Sequence, residues 1–222
     1  MVEFYPSRKV KTFSKCRCVW VHLGMERQQF LLSEAELKFA SDAGMMLMKN
    51  ILIGKVVQTY SLIAEDLKAV TAAYPPFTEE DLLSPKISRG EQYRGLPYVM
   101  LDYPRQFSRE DVFAVRNMWW WGKGFSVMLH LKGKYQQKAA EKIMQKAGLP
   151  EEYFISHSDD EWDHDISGTG YACIKAIPKE LLHKKLRKDV FLKIAIQYPL
   201  SEWNRANTLV PARFREIMEI IS

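Results

Sequence analysis

Asp111-Val-Phe-Ala-Val-Arg-Asn-Met-Trp-Trp-Trp-Gly-Lys-Gly-Phe-Ser-Val-Met-Leu-His-Leu131 is the stretch whose reading decides the fold. Its two arms are rich in β-branched and aromatic residues with period-two spacing, and Gly122-Lys123-Gly124 interrupts them. That is the pattern of a β-hairpin with a three-residue loop. The loop aligns Trp121 with Phe125, Trp119 with Val127, Asn117 with Leu129 and Val115 with Leu131. The reverse face then pairs Trp120 with Ser126, Met118 with Met128 and Arg116 with His130. A two-residue Gly-Lys loop places Val115 opposite His130 and Trp119 opposite Ser126, which mixes the faces, so the three-residue loop is the expected one.

Upstream of the hairpin, Tyr98 to Tyr103 reads as a strand closed by Pro104, and Ser108 with Asp111 caps a short turn. Residues 75–97 contain four prolines, two glycines and many charges, and read as a long connecting loop. Ser33 and Glu36 form a capping box at the start of a helical stretch running to about Ala73. Gly44 and Gly54 are its weak points, and Pro75-Pro76 is its stop. Around Met45 to Ile53 this stretch is apolar on all sides, which predicts a buried helical segment at about 34–73. Residues 18–23, Cys-Val-Trp-Val-His-Leu, read as a strand.

Downstream, Lys134 to Lys146 reads as an amphipathic helix ended by Gly148 and Pro150. A polar, acidic loop follows from Ser156 to Gly170, then an apolar strand from Tyr171 to Ile177 and a short basic helix from Lys179 to Arg187. Val190 to Tyr198 alternates as a half-buried strand. Pro211 suits the first position of a closing helix with Phe214, Ile217, Met218 and Ile221 facing inward. Strands mostly follow one another through turns, so the expected fold is α+β: an antiparallel sheet containing the long hairpin at about 111–131, covered by helices. One domain over 1–222 is expected, with a possible subdivision near 75–97.

A chain of 222 residues with 47% hydrophobic and 27% charged residues is large enough to bury a core without disulfides or metal staples. No apolar run reaches the roughly 20 residues of a membrane span, and Met1 to Lys9 lacks the apolar stretch of a secretory signal. Three cysteines, with Cys16 and Cys18 too close for an ordinary bridge, fit a reducing cytoplasm. A net charge of +5 and a pI near 9.0 permit an acidic partner. Basic residues gather between Arg8 and Arg17 and again between Lys184 and Lys188.

Three constellations bear on function. Arg94, Arg105, Arg116, Lys123 and His130 converge on one side of the expected sheet with Trp120. Guanidinium groups grip phosphate or carboxylate in bidentate fashion, and an indole offers a stacking surface. The leading expectation is therefore an anion-binding protein, for a small organic phosphate or carboxylate or for nucleic acid. Secondly, the loop His157-Ser-Asp-Asp-Glu-Trp-Asp-His-Asp165 offers His157, Asp163 and His164 as metal ligands for a hydrolase. Its spacing matches neither an EF-hand nor His-Glu-x-x-His. Thirdly, Trp119 to Trp121 with Phe125 form a candidate apolar tip for a protein partner. Gly168-Thr-Gly170 precedes a strand rather than following one, so it lacks the geometry of a phosphate-cradling turn. No Gly-x-Ser-x-Gly elbow occurs, and the sequence names neither a reaction nor a cofactor.

Overall fold

A computed structural model describes residues 30–74, 83–145, 149–188 and 190–222. The expected strand at 18–23, Cys16 and Cys18, the basic run from Arg8 to Arg17, Pro75-Pro76 and Gly148 lie outside the described residues. The chain divides into two units, 1–49 and 50–222. In the first, α1 (Glu34–Ser41) starts at the expected capping box: Ser33 Oγ accepts from the Glu36 amide while Glu36 Oε2 accepts from the Ser33 amide at 2.7 Å.

α2 (Ala43–Thr71) continues into the second unit. Its buried residues are Ile53, Val56, Tyr60, Ile63, Ala64, Leu67 and Thr71, a single stripe at helical spacing. Met45, Met46, Leu47, Met48 and Ile51 are exposed. The expected burial of the helix thus belongs to the part beyond Ile53. An all-apolar stretch carries no pattern to say which turns are covered.

The remaining elements are β1 (Lys86–Tyr93), β2 (Leu96–Phe107), β3 (Val112–Trp120), β4 (Gly124–Lys132), α3 (Lys134–Gln145), β5 (Phe154–Ser156), β6 (Tyr171–Cys173), α4 (Lys179–Lys188), β7 (Phe191–Tyr198) and α5 (Ala206–Ile221). The strands form one antiparallel sheet in the order β1-β2-β3-β4-β7-β5-β6. Odd-numbered residues of β3 and β4 and even-numbered ones of β7 share a core with α2, α3, α4 and α5. The fold is α+β, with helices covering one face of the sheet.

The hairpin forms with its register displaced by two residues from the expected one. Trp119 lies opposite Phe125, Asn117 opposite Val127, Val115 opposite Leu129 and Phe113 opposite Leu131, while Met118 faces Ser126 and Ala114 faces His130. The loop is Trp121-Gly122-Lys123. Gly122 takes the left-handed φ of +67° at its centre, and Gly124 enters the ladder at φ +133° with its missing side chain against the Tyr198 carbonyl. A slip of two leaves every side chain on its expected face. Trp119, Trp120 and Phe125 are buried and Trp121 packs against the core, so they form no exposed apolar tip.

The expected loop at 75–97 contains β1 and the start of β2, joined by a tight turn in which Arg94 (φ +49°) and Gly95 (φ +78°) are both left-handed. Arginine at the first of these positions hides the turn from a reading that looks for Asn-Gly or Asp-Gly. β2 runs through Pro104, which sits in an irregularity between Asp102 and Arg105. Asp102 pairs with Arg116 and Arg105 with Ala114, so Arg105 and Phe107 turn to the reverse face. The expected strand 171–177 is β6 followed by a 3-10 turn at Ile174–Ala176, and β5 escaped the sequence reading. α5 begins at Ala206 and encloses Pro211, because buried Ala206 and Val210 draw the helix back ahead of the proline. β7 is buried on both faces, Lys193 included, where a half-buried strand was expected.

Candidate functional site

The reverse face of the sheet carries Arg105, Phe107, Arg116, Met118, Trp120, Ser126, Met128, His130 and Lys193. Residues 157–170, linking β5 to β6, fold over it and bury Ile166 beside Met118, Trp120 and Met128. The acidic loop therefore covers the basic face. Arg94 donates to Asp163 Oδ1 at 2.9 Å and to Asp165 Oδ2 at 2.8 Å. Lys123 lies 4.0 Å from Asp165 and 5.3 Å above the Trp120 ring. Lys132 donates to Glu161 Oε1 at 2.9 Å.

The six expected site residues share this face or its turns, but they fall into groups. Arg94, Lys123 and Trp120 gather where Asp163 and Asp165 dock. Trp120 is buried there, with its ring edge-on to Tyr93 at 5.1 Å. Arg116 lies at the middle of the face, held in both directions by Asp102, through Nε to Oδ1 at 2.7 Å and Nη2 to Oδ2 at 3.0 Å. His130 is buried further along, with Nε2 3.3 Å from Glu161 Oε2 but without the alignment of a hydrogen bond. Arg105 donates to the Ser84 carbonyl at 2.7 Å.

A chain of polar contacts crosses the middle. Arg116 Nη1 is 2.9 Å from His164 Nε2, and His164 Nδ1 is 2.8 Å from Lys193 Nζ. Lys193 also donates to the carbonyls of Glu161, at 3.0 Å, and Asp163. Tyr93 accepts the His164 amide, and Tyr171 donates to the same Asp163 carbonyl. Burial, helped by Lys193, Arg116 and Lys132, lowers His130 to about 3. Burial, then Lys193 and Arg116, push His164 well below the ordinary imidazole value. Both rings are neutral at physiological pH.

The structure does not bring His157, Asp163 and His164 together. Among the described residues no group of three or more His, Cys, Asp or Glu is placed to hold a metal ion. His164 has both nitrogens engaged inside the polar chain, and Arg94 occupies Asp163. His157 instead lines a depression of about 370 Å3 with Lys132, Lys185, Ser156, Ser158 and the carboxylates of Asp159 and Glu161. That volume lies in the range of small-molecule pockets.

Next to Glu161, Trp162 is 45% exposed and Phe107 37% exposed, with ring centroids 6.0 Å apart. The Arg116 guanidinium carbon lies 5.6 Å from the Trp162 centroid and 5.8 Å from that of Phe107, so the pair is an aromatic ledge with a cation behind it. Phe107 and Lys132 were not singled out by sequence reasoning, and Glu161 and Trp162 were read only as members of the acidic loop. Phe107 reaches this face only through the irregularity at Pro104, and Trp162 reaches it through the loop's long return over the sheet. Comparison with family models, curated proteins and solved structures finds no match.

Proposed function

We propose that the protein binds an anionic ligand that carries a flat ring, of the nucleotide type, with its ring on the Trp162–Phe107 ledge and its anionic group in the adjoining depression. The observation that carries this reading is an exposed indole that follows Glu161 in the chain, where Glu161 lines a pocket with Lys132, Lys185, His157, Ser156 and Ser158 and a second carboxylate, Asp159. Ammonium groups, an imidazole and hydroxyls bind phosphate or carboxylate oxygens, while an indole face accepts any base. Glu161 is common to the pocket and the ledge segment, and its Oε1 holds the Lys132 ammonium at the pocket wall. Arg116, paired with Asp102 and largely buried, lies behind the ledge, while Arg94, half exposed, is paired with Asp163 and Asp165 and Lys132 with Glu161.

The reading also places the protein in the cytoplasm, where a free thiol such as Cys173 persists. Calorimetric titration with adenosine monophosphate, inorganic phosphate and a short single-stranded oligonucleotide tests it. Binding of the monophosphate, weakened by salt and tighter than that of phosphate alone, is the expected result. Binding of the oligonucleotide alone, with a steep salt dependence, replaces the small ligand by a nucleic acid. Absence of all three overturns the proposal.

A further inference from the structure

His164 sits between two side chains that ordinarily only donate. A guanidinium offers no acceptor, so Arg116 Nη1, 2.9 Å away, requires Nε2 of the ring to accept. The ring is neutral and carries one proton, which must then reside on Nδ1. Nδ1 lies 2.8 Å from Lys193 Nζ, so Nζ has to accept. An ammonium has no lone pair to accept with. A neutral amine satisfies every partner: its two N–H bonds go to the carbonyls of Glu161 and Asp163, and its lone pair takes the proton of Nδ1.

We propose that Lys193 is held as a neutral amine that latches the segment Glu161–His164 to the sheet, and that taking up a proton loosens this latch and with it the Trp162 ledge. The last step rests on the binding reading above; the protonation state and the latch do not. Lys193 is a positioning residue, since its two carbonyl partners lie on either side of Trp162.

A third proton on Nζ points at Nδ1–H. His164 then moves its proton to Nε2, where it meets Arg116, or the ring turns away. Either way one of the two contacts that the His164 ring makes to the sheet is lost. The charged and titratable groups around Nζ are Arg116 of β3 with its partner Asp102 of β2, His130 and Lys132 of β4, and Asp160, Glu161, Asp163 and His164 of the loop, with Tyr171 of β6 on the Asp163 carbonyl. Burial and Arg116 lower the amine to about 7, against Asp163, Asp160 and Glu161, which favour its charged form. Once the loop opens, the amine regains an ordinary value of about 10.4. Opening therefore takes up a proton between these two values: it becomes easier as pH falls from about 10 to 7, and its pH dependence levels off below 7.

Two measurements on the full chain test this. The ring 15N shifts of His164, assigned with His164→Gln, are expected to show the proton on Nδ1 at pH 8.5; a proton on Nε2 overturns the proposal. Hydrogen-exchange protection of the amides of Asp163, His164 and Ile166 is expected to fall by up to about tenfold per unit as pH drops from 9 to 7 and to flatten below. Lys193→Met removes that slope. A flat wild-type profile overturns the latch even if the variant does not fold. Adenosine monophosphate is titrated into wild type and variant at pH 8.5 and 6.5, with affinity expected to fall several-fold more in the wild type. A titrating loop with no monophosphate binding at either pH supports the latch and ends the binding reading; tight binding over a flat protection profile does the reverse.

Discussion

Arg116 and Asp102 face each other across β3 and β2, and Arg116 donates two hydrogen bonds to the Asp102 carboxylate, with side chains only 11% and 7% exposed. Removing one partner leaves the other as a buried, unpaired charge, which costs about 3–5 kcal/mol. Arg116→Ala is therefore expected to lower stability by that order in urea denaturation. Replacing both, as Arg116→Met with Asp102→Leu, is expected to recover most of the loss. A single variant as stable as wild type removes the pair from the structural account.

Trp162 is half exposed, so its truncation disturbs little of the core. Trp162→Ala is expected to leave the melting temperature within a few degrees of wild type and to weaken adenosine monophosphate by about 5- to 100-fold, the range that loss of one stacking partner spans. Calorimetry on the variant checks it. Unchanged affinity beside an unchanged melt excludes the ledge from the site.

His130 gives the molecule an acid-labile side. Burial, with Lys193, Arg116 and Lys132, holds it down to about 3, while in the unfolded chain it titrates near 6.5. Between those values the unfolded state binds more protons, so stability is lost as pH falls from about 6.5 to 3. His130→Phe is expected to make that slope shallower by up to about 1.4 kcal/mol per pH unit in denaturation series at pH 4, 5, 6 and 7. His164 adds to the same slope, so the variant retains part of it.

The faces of the hairpin were legible from period-two alternation alone, because a slip of two residues leaves parity intact: Trp119 is inward and Arg116, Trp120 and His130 are together on the reverse side. The register was not legible, since it depends on which of Gly122 and Gly124 makes the turn. β1 was hidden by Arg94 in a left-handed turn position. Likewise no local pattern announces that the acidic loop closes over the basic face. Each half was visible as a separate constellation, and only the antiparallel pairing of β5 with β7 and β6 brings His164 between Arg116 and Lys193.

Gly122 and Gly124 provide the matching test of the turn. At Gly122 a side chain meets open space, and its left-handed φ of +67° costs an L-residue about 1 kcal/mol. At Gly124 a Cβ collides with the backbone carbonyl of Tyr198 on β7, at φ +133°. That carbonyl belongs to a ladder partner and cannot rotate away without breaking the pairing of Phe125 with Tyr198. Gly124→Ala is therefore expected to cost more than about 2 kcal/mol and Gly122→Ala about half of that, read from urea midpoints. Since β7 carries Lys193, the Gly124 variant is also expected to reduce exchange protection at Asp163 and His164, whereas the Gly122 variant leaves it unchanged. Equal effects of the two substitutions place the close approach elsewhere than at Gly124.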